Sequence, residues 1–462
     1  MNTRTARRRP FLPGLTRLVV SAALAVGVPA AAQDLLPKAP PQAAPVMIHN
    51  ATIHTVSGET IADGFVMFTG GRISGVGTVG EKFDAEQNKR DGWTMIDARG
   101  RHVYPGLIAS YSQIGLTEIA AVRATLDLAE VGTLTPEVRA GIAVNPDSTL
   151  IPVTRSNGVL LAGVFPASGA LCPGRASVVR LDGWTTEQMA VEMEAGLALN
   201  WPNTRPISAP WMNRSSGEQR TEAERSIAAL DRLFTDARAY RDTRAADPSL
   251  PADLRLEAVA PFLPSPGADP KATYILANDY DQILSAVAFA DRHGLRAVIV
   301  GGMDAHLAAD LLKARDIPVI VTGTHRFPKR ADGDYDEPFS LPAKLRAAGV
   351  RLALSSGEEA ANERNLPYAA GTAVAHGLDR AAALRAITLG AAEALGIQGD
   401  FGSLDPGKSA TLFIADGDIL EITTNVERAW IDGREINLAN KQTELEAKYR
   451  EKYRQLTVPS KP

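Results

Sequence analysis

Cysteine is nearly absent: Cys172 stands alone in 462 residues, so no internal disulfide is available and the fold must rest on the size of its core. It sits in "ALCPGRA", among turn-forming residues with no histidine beside it, which argues against a nucleophilic thiol. Histidine is scarce too, with seven in all, so an imidazole-based metal centre has few donors to draw on. A basic surplus is missing: 49 Lys and Arg against 53 Asp and Glu leave a formal charge of −4, and nothing in that balance would neutralise nucleic-acid phosphates. Beyond the first 33 residues no apolar run is long enough to read as a transmembrane helix. What is there is a globular composition, 45% hydrophobic and 22% charged, in a chain long enough for one large α/β domain and a smaller companion. A small molecule or another protein is the partner this balance favours.

Residues 1–33 read as an export signal. Arg4, Arg7, Arg8 and Arg9 form a positive head, Leu18 to Val28 an apolar stretch too short for a comfortable span, and Ala30, Ala31 and Ala32 a small-residue cleavage site. Arg8-Arg9-Pro10-Phe11-Leu12 is similar to a twin-arginine signal, and an ordinary secretory signal with clustered arginines fits as well. Either predicts a periplasmic or secreted protein whose mature form has no membrane span. Residues 34–45 form a Pro- and Ala-rich linker.

Residues 46–103 alternate apolar and polar side chains between Gly-rich turns, an antiparallel strand texture that returns over 401–440. Two such blocks at opposite ends of a chain most simply meet in one small β-sandwich domain. Between them the runs "ATYILAN", "RAVIVGG", "IPVIVTG" and "VRLALSS" are candidate buried parallel strands, separated by helical stretches at 279–293, 304–315 and 342–349. "GVLLAGVFP" and "ASVVRLDGW" are earlier members of the set, and residues 185–268 read as mostly helical. Strand–helix units with right-handed crossovers predict an α/β fold, a TIM-like (β/α)8 barrel over 104–400, with 441–462 as a charged helical tail.

"YPGLIA" at the junction, "NLPYAAG", "AIT" and "AEALGI" late in the chain, and "GSLDPGK" after them follow in an order and spacing that resembles the amidohydrolase superfamily, specifically its imidazolonepropionase-like members. The resemblance implies hydrolysis of C–N bonds by one or two divalent metals at the barrel mouth, where a bound water is acidified and a carbonyl polarised. It also implies His-x-His after strand 1, a His after each of strands 5 and 6, and an Asp after strand 8. This chain has Tyr111 and Gln113 for the first pair, Leu276 and Gly301 for the next two, and Gly357 for the Asp, with Glu358 beside it. Leu and Gly offer a metal no side-chain donor.

A rearranged site would draw on His306 and His325, with Asp304, Glu118, Glu358 and Glu359, as a mixed N/O set. The simpler reading makes these water-facing loop residues, since catalytic ligands are held by rigid strand ends. No Gly-x-Ser-x-Gly elbow accompanies Ser112, Ser355 or Ser356, and "VGGMDAHLAADLL" lacks the spacing of a phosphate loop. The expected protein is an exported, cofactor-free barrel acting as a non-catalytic partner or ligand-binding subunit, with Tyr111, Gln113 and Asn278 lining the former metal site. Its expected partners are a small-molecule ligand, a second copy, or an active homologous amidohydrolase. The alternative is an active C–N hydrolase with a non-standard site holding one divalent metal such as zinc.

Overall fold

The computed structural model describes residues 34, 36–78, 80, 85–357 and 359–457; the expected export signal and Glu358 lie outside them. The chain opens with β1 (Val46–His54), β2 (Thr60–Thr69), β3 (Arg72–Thr78), β4 (Thr94–Asp97) and β5 (His102–Pro105). Eight further strands follow: β6 (Leu107–Ser112), β7 (Val159–Val164), β8 (Gly174–Arg180), β9 (Ala190–Asn200), β10 (Ala272–Ala277), β11 (Arg296–Gly301), β12 (Val319–Thr322) and β13 (Leu352–Ser355). The last three are β14 (Leu412–Ala415), β15 (Val426–Ile431) and β16 (Arg434–Ile436).

Both chain ends do meet in one sheet, in the order β16-β15-β14-β5-β1-β2-β3 with β4 also on β1. The seam between the ends is antiparallel, Leu412 opposite Pro105 and Ala415 opposite His102. The inward positions of this sheet, among them Ile48, Ile53, Val66, Phe68, Val103, Leu412 and Trp430, form a core of their own.

The other sheet contains β6 through β13 in sequence order, and curls into a nearly closed barrel. Its two edges are tied by side chains: Ser110 Oγ donates to Leu354 O (2.9 Å) and Ser355 Oγ to Tyr111 O (2.8 Å). Ile108, Leu161, Phe165, Val178, Tyr274, Val300 and Ile320 fill the interior. Helix Leu389–Leu395 closes the end where the parallel strands begin, with Ala394 O accepting from Tyr274 Oη (3.2 Å) and Leu395 joining the same core.

One strand departs from the expected parallel set: β8 runs antiparallel to both β7 and β9. A parallel return needs a crossover of about a dozen residues or more, and the links from Val164 to Gly174 and from Arg180 to Ala190 are too short to supply one. The expectation of a mostly helical 185–268 also needs correction, because β9 occupies Ala190–Asn200 before the long helix Ser216–Ala246. Ala, Glu, Met and Leu in "AVEMEAGLALN" favour helix locally, and pairing with β8 and β10 overrides that preference. The expected helices near 279–293 and 342–349 are present as Tyr280–His293 and Glu337–Ala348. Over 304–315 a 3-10 turn (Ala305–Ala308) leads into Ala309–Ala314.

The end sheet docks on the barrel through Asp182. Its carboxylate, 1% exposed, accepts from Arg155 Nη1 and Arg434 Nη1, both at 2.9 Å, and from Ala39 N at 3.3 Å. Nearby, Lys38 pairs with Asp34 at 2.9 Å, both side chains buried. Asp182→Asn is expected to lower unfolding free energy by ~3–5 kcal/mol in urea titration, since it strands the Arg155 guanidinium where water cannot reach it and also weakens the pairing of the partly exposed Arg434. The double change Arg155→Met, Asp182→Leu should cost less than Asp182→Asn alone.

The end sheet also brings together His54 Nε2 and His102 Nδ1, which share a 2.9 Å hydrogen bond, with the ring of Tyr104 stacked on His54. Burial, then the neighbouring His102, lower the His54 pKa to about 4 from the ordinary 6.5. The unfolded chain would therefore take up a proton below pH 6.5 that folded His54 refuses, so this contribution to stability is present above pH 6.5 and lost as pH falls toward 4. In His54→Gln the loss of denaturation midpoint between those pH values is expected to be shallower than in the unsubstituted protein.

Candidate functional site

The mouth of a barrel of this kind is formed where the parallel strands end and their loops begin. At the end of β6 the ladder to β7 slips between Ala109 and Ser112. Tyr111 accordingly packs with the barrel interior, its ring 4.8 Å from Phe165, which in turn meets Tyr274 at 4.9 Å. Burial raises the Tyr111 phenol above its ordinary range, against a hydrogen bond with the Gln113 side chain. Leu276 at the end of β10 joins the same apolar group. A neutral plug thus occupies the strand ends.

Backbone conformation closes the remaining positions. Gly301 has φ +93°, and a Cβ added there would lie 2.2 Å from Asn278 Oδ1. That oxygen is buried and has no hydrogen-bond partner, an unmet acceptor at the strand end. At the ends of β12 and β13 two glycine backbones touch. A Cβ on Gly357 (φ +70°) would sit 2.5 Å from both Gly323 Cα and Thr322 O, and one on Gly323 would sit 2.6 Å from Ser356 O. The backbone here leaves no room for a carboxylate at Gly357.

The other predicted residues are dispersed over the rim. Asp304, nearly inaccessible, accepts from Lys329 Nζ (2.6 Å), Tyr280 N (3.2 Å) and Arg330 Nη2 (3.4 Å), and Lys329 also pairs with Asp279. Burial pushes the Asp304 carboxyl up, but Lys329, Tyr280 N–H and Arg330 together hold it below its ordinary value. His306 lies within the field of Asp304, and burial first, then Lys344, lower its pKa. His325 Nε2 bonds Thr372 Oγ1 at 2.7 Å instead. Glu118 belongs to the long loop after β6, where Asn145 Nδ2 approaches Oε1 at 3.4 Å and burial raises its pKa. Among the described residues, no group of three or more His, Cys, Asp or Glu is placed to hold a metal ion.

Sequence reading missed two features. Lys329 bridges two carboxylates from different loops, a pairing with no local signature. Glu363, on the 3-10 turn Ala360–Asn365, is buried and accepts from Ser112 Oγ at 2.6 Å. Its only hint was an acidic residue ahead of the apolar helix Leu366–Ala375.

Residues 309–436, the last two strands of the barrel with the three returning end-sheet strands, match the amidohydrolase family. This is the amidohydrolase fold. An amidohydrolase from Thermotoga maritima MSB8 superposes with a TM-score of 0.72 at 24% identity, covering 85% of this chain and 99% of that one. A prolidase complexed with N-methylphosphonate-L-proline superposes at 0.50 with 15% identity, over 85% of this chain and 99% of its own. Comparison with curated proteins gives no match. Against this amidohydrolase frame, a divalent metal does not fit the donor set at the described strand ends, where tyrosine, glutamine, leucine and two glycines stand at the positions the resemblance assigns to ligands.

Gly357→Asp tests the steric side of that statement. Positive φ and the 2.5 Å approach make the change costly, by ~2–4 kcal/mol on the scale of strained and overpacked substitutions. The urea midpoint should fall accordingly, with no gain in zinc content.

Proposed function

We propose that this protein is a non-catalytic member of the amidohydrolase family, exported from the cytoplasm, that works as a ligand-binding or partner subunit. The observation that carries this reading is the contact of Gly357 with Gly323, which excludes a side chain where the family resemblance calls for the proton-shuttling Asp. The replacements at Tyr111, Gln113, Leu276 and Gly301 agree with it, since each puts a neutral group where a charged or metal-bound one would otherwise have to be desolvated. Tyr111, Gln113 and Asn278 supply neutral hydrogen-bonding groups at the strand ends where the resemblance places the metal. Export is supported by the residues of the first 33 positions alone.

Metal analysis of protein expressed without a metal-binding tag is the test. The expected outcome is substoichiometric zinc, manganese and iron, and no hydrolysis of dipeptides, lactams or hydantoins. Stoichiometric metal together with a hydrolase activity abolished by chelation would replace this reading with that of an active C–N hydrolase.

A further inference from the structure

The end of the barrel opposite the mouth carries a cleft of about 360 Å³ between the start of β13 and the helices Arg380–Ala386 and Leu389–Leu395. A sharp stop in the chain shapes it. Helix Glu337–Ala348 ends on Gly349, whose left-handed conformation (φ +82°) turns the backbone directly into β13. Val350, Leu352 and Ala386 give the cleft an apolar floor. Its walls are cationic. Arg346, Arg351 and Arg385 line it, and the Lys313 ammonium reaches the same wall, since a Cβ added to Gly349 would lie 3.0 Å from Lys313 Nζ.

Carboxylates answer two of these four cations. Arg351 bonds Asp316 through Nε (2.7 Å) and Nη2 (2.9 Å), and Arg385 Nη2 bonds Glu393 at 2.5 Å. Arg346 and Lys313 have no ion pair or side-chain hydrogen bond among the described residues. Each stands in the last turn of its helix, as Arg385 does, where a cation complements the carbonyl end. A helix end carries only about half a negative charge. Three such ends therefore offset about one and a half of the two unanswered charges, and the cleft stays positive with free N–H donors.

We propose that this cleft binds a small carboxylate on a short hydrocarbon chain, its oxygens between Arg346 and Lys313 and its chain on Val350, Leu352 and Ala386. Guanidinium and ammonium groups form their stronger hydrogen bonds with an ionised acceptor, and the floor rewards a chain that a bare anion lacks. The cleft is at the low end of ligand-site volumes, roughly 300–1,000 Å³, so the chain is a few carbons long. The cations are exposed, and solvent screening holds the affinity to the millimolar range or just below it. The site lies at the far end of the barrel from Tyr111 and Gly357, so it stands or falls independently of any metal at the mouth.

Isothermal titration of the full-length protein with sodium hexanoate at low ionic strength is expected to show one site with a Kd of ~0.1–1 mM. Acetate should bind at least about tenfold more weakly, having no chain to lay on the floor, and about 1 M NaCl should weaken hexanoate by a similar factor. Lys313→Gln, Arg346→Gln alters two exposed side chains and should abolish hexanoate binding while the near-UV circular dichroism spectrum stays unchanged. No hexanoate binding up to ~20 mM would overturn the proposal. So would undiminished binding in the double variant, or acetate or inorganic phosphate binding as tightly as hexanoate.

Discussion

The carboxylate of Asp182 is the point on which the two halves of the molecule depend. It lies just past the end of β8, and β8 is the one barrel strand that runs against its neighbours. Its reversed direction delivers Arg180 and Asp182 to the face opposite the mouth, where they meet Asp432 of the turn between β15 and β16 and Arg434 at the start of β16. A parallel strand would have pointed the same residues toward the mouth. Buried charges of this kind hold only when fully paired, and Asp182 accepts from the barrel, from the end sheet and from the segment before β1 at once. The short links around β8 therefore fix how the end sheet sits on the barrel.

At the opposite face the governing constraint is space. A metal centre requires several donors aimed inward and enough room between strand ends to coordinate. Here Tyr111, Phe165, Tyr274 and Leu276 fill the interior with ring and aliphatic contacts. Gly323 and Gly357 bring the last two strand ends into backbone contact. At the rim the carboxylates of Asp279 and Asp304 are met by Lys329 and Arg330. The described part of the mouth is thus held together by contacts among the protein's own side chains and backbone.

Much of this was legible in the sequence because the informative signals are local. The alternation around Val46 to Thr78, the apolar runs of β10 to β13 and the "YPGLIA" junction depend on a few neighbouring residues, and each is found where the pattern put it. That Leu276, Gly301 and Gly357 bring no side-chain donor was legible for the same reason, since leucine and glycine carry none in any fold. What misled was β9, whose residues prefer helix and are held extended by flanking strands. What was invisible were contacts between distant segments: Lys329 with Asp279 and Asp304, Glu363 with Ser112, and His54 with His102.

The amino-acid sequence by itself determined the strand and helix periods, the return of the chain's end to its beginning, and the chemistry withheld from the strand ends. Tertiary structure alone decided the direction of β8, the approach of Gly357 to Gly323, and which charges Asp182 and Asp304 would meet. Periodicity and side-chain chemistry are properties of a few adjacent residues. Strand direction, free space and ion pairing are set only when segments hundreds of residues apart close against one another.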